Sequence, residues 1–278
     1  MMDRNEMNNV KDRLDILFNF SSQVSYSDGH LLQVIQACKS LLGVSRDHVS
    51  IDLLRWLDSY VGNFKPNNNF EFNLNSKDSM ELLSTFELEN LINKKDKDKT
   101  KKYLYHLAQV SDPKYLMEIL FEISLQRTNK EILFCWAAYK SVKFMDHKDG
   151  MAILFIALDC LLSGGKTDDK EVDLLNFFVI CHSYQILMTD MVRIKTISLK
   201  LTDFKNNNKN LDMFLHMIPE SLLQSLREDK EKGFGKYVSN LKISEINEEY
   251  IFLLDAIRSL YNYADESDEI YRLMMGAC

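Results

Sequence analysis

The dominant pattern in this chain is the repeated spacing of apolar residues that is typical of amphipathic helices. The clearest example begins at residue 31, where apolar side chains recur at i, i+3, i+4, i+7, i+10 and i+11, a spacing that places them on one helix face. These residues are Leu31, Val34, Ile35, Cys38, Leu41 and Leu42. Helix-breaking residues are scarce, with three prolines and nine glycines in 278 residues. The pattern predicts an all-α fold, a compact multi-helix domain of roughly 12–14 amphipathic helices.

Capping residues predict where many of these helices begin. Ser111-Asp112-Pro113 is the clearest start, because proline fits the first turn of a helix, where its missing N–H is not needed. Thr167-Asp168-Asp169 opens another predicted helix, which carries Leu175, Phe178 and His182 on its apolar face. Further N-caps are predicted at Asp28, Asp47, Asn129 and Ser267.

Three segments interrupt the helical pattern. Residues 67–76 are rich in asparagine and are predicted to form a loop, and Gly233-Phe234-Gly235 is predicted to break the C-terminal third of the chain. The segment 205–210 holds four asparagines and two lysines, which makes it the best candidate for a boundary. We therefore predict a single all-helical domain over residues 1–278, with a candidate seam at 205–210.

The charge balance argues against nucleic acid as the main partner. The net charge is −7 and the sequence pI is near 5.5, whereas phosphate binding needs clustered lysine and arginine. The densest lysine run, Lys94 to Lys102, alternates with Asp96 and Asp98. We interpret this run as a solvated linker or helix entry.

The sequence predicts neither secretion nor membrane insertion. Residues 1–11 are polar and mixed in charge, unlike a signal peptide. The longest apolar run, Met151 to Leu162, contains Asp159 and is shorter than the ~20 residues that a membrane span takes. The five cysteines lie mostly in apolar helical patterns without metal-ligand spacing, which indicates small hydrophobic residues in a reducing compartment. We therefore predict a cytoplasmic protein.

Two local motifs suggest chemistry that their surroundings do not support. Gly164-Gly165-Lys166-Thr167 resembles a phosphate-binding loop, but the upstream glycine and the preceding strand are missing. A helix C-cap followed by an N-cap explains these four residues. Cys181 is next to His182, but adjacent residues on a helix point about 100° apart and cannot pair, so the thiol is predicted to be inert.

The six histidines are the main candidates for chemistry. His182 is the most unusual, because it falls on an apolar helical stripe and should face the core, where an imidazole needs partners at both nitrogens. A metal or a carboxylate can provide these partners, and so can a backbone carbonyl or a tyrosine. His182 is therefore either a functional residue or an ordinary core histidine, and both interpretations stay open here. His30 lies at the edge of an apolar helix face, and His106 shares a turn with Tyr103. No two histidines have i, i+3 or i, i+4 spacing, so a metal site would need separate helices.

Aromatic and methionine residues are also numerous. Sixteen phenylalanines, twelve tyrosines and thirteen methionines are enough to line a cavity for a flat apolar ligand. Aromatic residues at helical spacing are more often part of ordinary core packing. The sequence therefore leaves both roles open.

Several stretches, in order along the chain, resemble the questin oxidase-like family. Gly29-His30-Leu31-Leu32 is similar to the histidine-led first helix of that family, and Trp56-Leu57-Asp58-Ser59-Tyr60 is similar to the helix that follows it. Residues 131–139 look like a later alanine-rich helix with Trp and Tyr. Cys181-His182-Ser183 lies where a histidine-containing helix would fall, and residues 268–273 resemble the C-terminal motif.

The resemblance implies a helical oxidoreductase that acts with dioxygen on an aromatic or quinone-like small molecule. It implies catalytic roles for His182 and His30, with non-haem iron as the candidate cofactor and His30, His106 and His182 as candidate metal ligands. The alternative is a non-enzymatic helical protein-interaction module. That alternative predicts an exposed apolar or aromatic surface for a protein partner, and histidines that do not converge.

Overall fold

The architecture is that of an all-α protein, as the sequence predicts. The computed structural model describes residues 4–26, 30–44, 49–66, 83–145, 150–164, 169–189 and 216–276. Within these ranges the chain forms thirteen α-helices and no strand. The helices are α1 (Arg4–Ser21), α2 (Leu31–Leu42), α3 (Ile51–Val61), α4 (Thr85–Lys94), α5 (Lys97–Val110), α6 (Pro113–Ser124), α7 (Asn129–Phe144), α8 (Gly150–Ser163), α9 (Asp169–Leu187), α10 (Glu220–Glu228), α11 (Gly233–Ser239), α12 (Glu248–Tyr263) and α13 (Glu269–Met275). A short 3-10 turn, Ile243–Glu245, precedes α12.

The chain forms two compact units and passes between them more than once. The first unit comprises Met1–Leu14, Val34–Asn63 and Thr167–Cys278. The second unit comprises Asp15–Gln33 and Phe64–Lys166. Each unit is described by itself below.

Two segments named by the sequence analysis lie outside the described residues. They are the predicted loop at 67–76 and the candidate seam at 205–210. The single domain over residues 1–278 therefore stays a prediction.

The second unit is built around α8. This helix packs against α4, α5, α6 and α7, and most residues of α7 and α8 are buried. On α7, the ring of Trp136 lies 5.5 Å from that of Phe121 and 5.6 Å from that of Tyr139, measured between ring centroids. Much of the aromatic content noted in the sequence is thus part of the packed core, where aromatic pairs stabilise beyond their buried area.

The first unit contains the helices of the C-terminal third. α9 packs along α12, and α10 packs against both α11 and α13. α3 lies next to the 3-10 turn. These contacts bring polar side chains of α9 and α12 together, and they place the start of α3 beside the 3-10 turn.

Apolar spacing identifies the buried faces correctly. The predicted stripe of α2 is buried throughout, and each of its side chains is at most 5 % exposed. On α12, Leu253, Leu254, Ile257 and Leu260 are buried as predicted. These results follow from the 3.6-residue period, which sequence alone supplies.

Two predicted N-caps are wrong by one residue. Thr128, and not Asn129, precedes the first residue of α7, and its N–H and hydroxyl both donate to Glu131 Oε2 at 2.9 Å. Asp268, and not Ser267, caps α13 through its side chain. At each of these starts, two neighbouring residues have the side-chain chemistry of an N-cap, so the sequence alone does not choose between them. The geometry of the first turn does.

The predicted start of α6 is confirmed, and the predicted start of α3 is wrong. Asp112 caps α6 with Pro113 in the first turn, as predicted. α3 begins after Ser50, whose hydroxyl accepts from the third helical N–H, so the cap predicted at Asp47 is wrong. Asp47 itself and the predicted cap Asp28 lie outside the described residues.

The glycine-rich segment in the C-terminal third begins a helix, which corrects the predicted break. α11 starts at Gly233, and the turn lies before it. A Cβ atom at Gly233 would lie 2.1 Å from the backbone oxygen of Ser225 in α10. Glycine is therefore present here because the two backbones approach closely.

Candidate functional site

Polar side chains are buried between α9 and α12 in the first unit. α9 contributes His182 and Gln185, which are one turn apart, and α12 contributes Asp255, Arg258 and Ser259. We call these five residues the α9–α12 polar cluster. Apart from the half-buried Gln185, its members are at most 7 % exposed. Because buried polar groups are costly without partners, the hydrogen bonds within the cluster decide what it can do.

The two ring nitrogens of His182 face different partners. Nδ1 lies 2.9 Å from the hydroxyl oxygen of Ser259, and Nε2 lies 4.0 Å from a carboxylate oxygen of Asp255. The Ser259 hydroxyl donates to the backbone oxygen of Asp255 at 3.1 Å. The same hydroxyl oxygen also lies 3.2 Å from Gln185 Oε1 and accepts from Arg258 Nη2 at 3.2 Å, so it links His182 to the rest of the cluster. The predicted burial of His182 is confirmed, and its partners are a serine and a carboxylate.

The charges of the cluster compensate one another. Arg258 Nε donates to Asp255 Oδ1 at 2.9 Å, and Arg258 Nη2 donates to Gln185 Oε1 at 3.2 Å. The positive charge of the Arg258 guanidinium balances the negative charge of the Asp255 carboxylate. Each partner of this buried ion pair stabilises the other. Removal of one partner would leave the charge of the other buried without compensation.

The cluster contains groups that can transfer protons, but they are enclosed. A hydroxyl, an imidazole and a carboxylate in sequence are the parts of many nucleophilic and acid–base sites. Here Ser259 is 0 % exposed, and the carboxylate of Asp255 is engaged by Arg258. In this arrangement the cluster joins α9 to α12.

A thiol lies next to this cluster. Cys38 on α2 is buried, and desolvation, with a further contribution from the negative charge of Asp255, raises the pKa of the Cys38 thiol well above its usual value. A thiol that keeps its proton is a poor nucleophile and a poor metal ligand. Cys38 therefore acts here as a small apolar residue, as the sequence predicts.

The other two candidate histidines belong to the second unit. His30 Nδ1 lies 2.8 Å from Gln33 Oε1, one turn along the chain. His106 on α5 makes an edge contact with the ring of Tyr105, and its Nε2 is buried without a hydrogen-bond partner. Across the described part of the chain, no group of three or more His, Cys, Asp or Glu residues is arranged to hold a metal ion. The catalytic and metal roles of His30, His106 and His182 stay predictions.

Sequence reasoning identified His182 but missed its partners on α12. The apolar stripe of α12 makes the opposite face look solvent-exposed, and Asp255, Arg258 and Ser259 lie on that face. A signal does exist: these residues recur at i, i+3 and i+4, which gathers a carboxylate, a guanidinium and a hydroxyl on one surface. The pairing with α9 depends on tertiary packing, which one sequence does not supply.

A second feature of the first unit is an apolar surface at the start of α3. Ile51, the first residue of α3, is 62 % exposed, and Ile243 in the 3-10 turn is 46 % exposed. The backbone N–H of Ile243 donates to a carboxylate oxygen of Asp52 at 3.4 Å. This bond joins the 3-10 turn to the first turn of α3.

Two aromatic side chains lie on a different face of α3 from Ile51. The rings of Trp56 and Tyr60 are stacked with centroids 5.1 Å apart, and both side chains are half-buried. The Tyr60 hydroxyl donates to Glu248 at the start of α12 at 2.7 Å. Burial and then this carboxylate raise the pKa of Tyr60, so the phenol remains a neutral donor. We call the two exposed isoleucines, Ile51 and Ile243, the α3 patch.

Comparison with known proteins does not identify a family for this chain. No protein-family model, no curated protein and no solved structure matches this chain. The questin oxidase-like resemblance therefore stays a prediction. What the described residues define is an all-α protein, and none of its described helices combines the length and apolarity of a bilayer span.

Proposed function

We propose that this protein is a helical interaction module that binds a protein partner through the α3 patch. The observation that carries the proposal is the exposure of Ile51 and Ile243 on two segments that a hydrogen bond holds together. Single exposed apolar residues are common on protein surfaces, but exposed apolar residues on two adjoining segments are more typical of binding sites.

The apolar area of the α3 patch limits the free energy that its burial can contribute to binding. Burying one isoleucine fully is worth about 1.5–3 kcal/mol. Because Ile51 and Ile243 are already partly covered, we expect them to contribute about 2–4 kcal/mol together. Such a surface suits a reversible interaction and not a permanent assembly.

The proposal includes a reducing compartment. Four of the described cysteines are buried as thiols: Cys38, Cys135, Cys160 and Cys181. Buried thiols are compatible with the cytoplasm, where thiols are kept reduced. We place the interaction there.

Photo-cross-linking tests this function. Benzoylphenylalanine is introduced at position 243 of the full chain, the chain is expressed in cells of the source organism, and adducts are identified by mass spectrometry after irradiation. We expect one dominant protein adduct from position 243. Ile16, which is 67 % exposed on α1, provides the matched control position. The same adducts from positions 16 and 243, or none from 243, would refute the proposal.

A second candidate is the dioxygen-dependent oxidoreductase with an aromatic or quinone-like substrate. The observation that favours it is the contact of His182 with Ser259 and Asp255, three groups that can move protons. Non-haem iron is the candidate cofactor. Elemental analysis of protein purified anaerobically tests it: stoichiometric iron that is lost in His182→Ala supports the enzyme, and iron-free wild-type protein counts against it.

A further inference from the structure

Two buried thiols in the second unit are in contact with each other. Cys135 lies on α7 and Cys160 lies on α8, and both are 0 % exposed. The two thiols are hydrogen-bonded to each other, and the Tyr26 hydroxyl donates to the sulfur of Cys160. We call Cys135 and Cys160 the thiol pair. Because α7 packs against α8, the thiol pair lies between two buried helices of this unit.

A carboxylate with an open hydrogen-bonding position lies beside the thiol pair. Glu131 is one turn before Cys135 on α7, and it is 2 % exposed. Its Oε2 accepts from Thr128, whereas its Oε1 is buried without a hydrogen-bond partner among the described residues. The charge of Glu131 acts on both Cys135 and Tyr26, which places the carboxylate near the thiols. A buried acceptor of this kind is costly until a small molecule with an O–H group donates to it.

We propose that Cys135 and Cys160 form a reversible disulfide when a small neutral peroxide enters this site. Hydrogen peroxide is such a molecule: it supplies the O–H donor that Glu131 Oε1 lacks, and it is also the oxidant. The thiol pair is thus a modification site inside the second unit. This inference goes beyond the interaction function and does not depend on it.

The reaction balances with hydrogen peroxide as the only co-reactant. One thiol sulfur attacks a peroxide oxygen as the O–O bond breaks, which gives a sulfenic acid and one molecule of water. The second thiol then attacks the sulfenic sulfur as the S–O bond breaks, which gives the disulfide and a second water. The two thiols lose two electrons and two protons, and the peroxide takes up both.

Burial makes this reaction slow but selective. Desolvation, followed by the hydrogen bond with Cys160, raises the pKa of the Cys135 thiol well above its usual value. Little thiolate is present at neutral pH, so we expect a slower reaction than at an exposed cysteine. The same burial excludes large oxidants such as glutathione disulfide. The disulfide is uncharged, so its formation leaves no new charge in the core.

Mass spectrometry of the full chain tests the inference without any substitution. Reduced protein is exposed to hydrogen peroxide over a time series, the remaining thiols are blocked with N-ethylmaleimide in urea, and the digested chain is searched for linked cysteine peptides. We expect the Cys135–Cys160 link to exceed every other cysteine pair at least about tenfold, and dithiothreitol to remove it. Glutathione disulfide in place of the peroxide should give neither the link nor a glutathione adduct on the thiol pair.

Cys38 provides the matched control. It is equally buried, and its thiol lies near the Asp255 carboxylate, so it shares the burial and the acidic neighbour of Cys135. We expect Cys38 to remain a thiol while the link forms. Cys38→Ala should leave the yield of the link unchanged. Cys135→Ala should abolish the link and leave Cys160 as the thiol or the sulfenic acid, with circular dichroism confirming that each variant is folded.

Three results would overturn the inference. The first is a folded chain in which both thiols of the pair survive the peroxide time series. The second is oxidation of Cys38 as fast as that of the thiol pair, which would show that contact between the thiols gives no selectivity. The third is separate sulfinic acids at Cys135 and Cys160 without a link. The interaction function is tested separately, because Ile51 and Ile243 belong to the first unit.

Discussion

Arg258 Nε donates a hydrogen bond of 2.9 Å to Asp255 Oδ1 one turn earlier on α12, and both side chains are buried. This pair faces α9, and together with His182 and Ser259 it makes the contact between the two helices polar. A polar contact of this kind is sensitive to the loss of any single member, because each group satisfies another. The first two predictions follow from that dependence.

Arg258→Met should lower the free energy of unfolding by about 3–5 kcal/mol, because it leaves the Asp255 carboxylate buried without its cation. Urea unfolding measures the change. The double variant Asp255→Leu with Arg258→Met removes both charges and should recover most of that loss. A double variant as unstable as the single one would show that the pair is not coupled.

Ser259→Ala should lower the free energy of unfolding by about 1–3 kcal/mol, because Nδ1 of His182 loses its hydrogen-bond partner in a buried site. Ser183→Ala is the matched control: Ser183 is also buried on α9, but its hydroxyl donates to the backbone oxygen of Ile180. That change should cost less than about 1 kcal/mol. Urea unfolding compares the two variants, and equal losses of stability would contradict the role of the Ser259 hydroxyl as a partner of His182.

Gly233→Ala should destabilise the protein by about 1–3 kcal/mol or prevent α11 from packing on α10. Its new Cβ would lie 2.1 Å from the backbone oxygen of Ser225, and a backbone atom cannot move aside cheaply. Gly43→Ala is the control, because a Cβ there would lie 3.4 Å from Lys39 O, an ordinary contact. Thermal unfolding compares the two variants. Equal melting temperatures would mean that the two helices do not approach as closely as described.

Alkaline pH should weaken the fold through Tyr261. Burial, with smaller contributions from nearby Tyr271, Asp229 and Glu266, raises the pKa of Tyr261 to about 12. The folded state thus holds this proton more tightly than the unfolded state, in which the pKa is about 10. The resulting stabilisation is complete below about pH 10 and is lost as the pH rises toward 12.

Urea unfolding between pH 9 and pH 11.5 tests this dependence. The fall in stability should be smaller for Tyr261→Phe than for the unchanged chain. An identical slope in both would rule out a contribution from this phenol.

The sequence predicts the helices and their buried faces well, because both depend on a local period. The burial of the α2 stripe and of His182 follows from spacing alone. The exact first residue of a helix is harder to predict from the sequence. Thr128 and Asn129 offer similar capping chemistry, and only the geometry of the first turn distinguishes them.

The candidate sites could largely not be predicted from the sequence. His182 and Ser259 are 77 positions apart, so their contact depends on how α9 packs against α12. Ile51 and Ile243 present a different difficulty, because an isoleucine in a helical pattern is ordinarily assigned to the core. Their exposure, and the hydrogen bond that links their segments, become visible only in three dimensions.

The most direct test of the interaction function is the yield of the cross-linked adduct from benzoylphenylalanine at position 243, measured with and without Ile51→Ser in the same chain. We predict that Ile51→Ser reduces the dominant adduct at least about tenfold while the helical circular dichroism is unchanged, because both positions belong to one binding surface. An adduct of undiminished yield would contradict the account, since it would show that Ile51 takes no part in binding the partner.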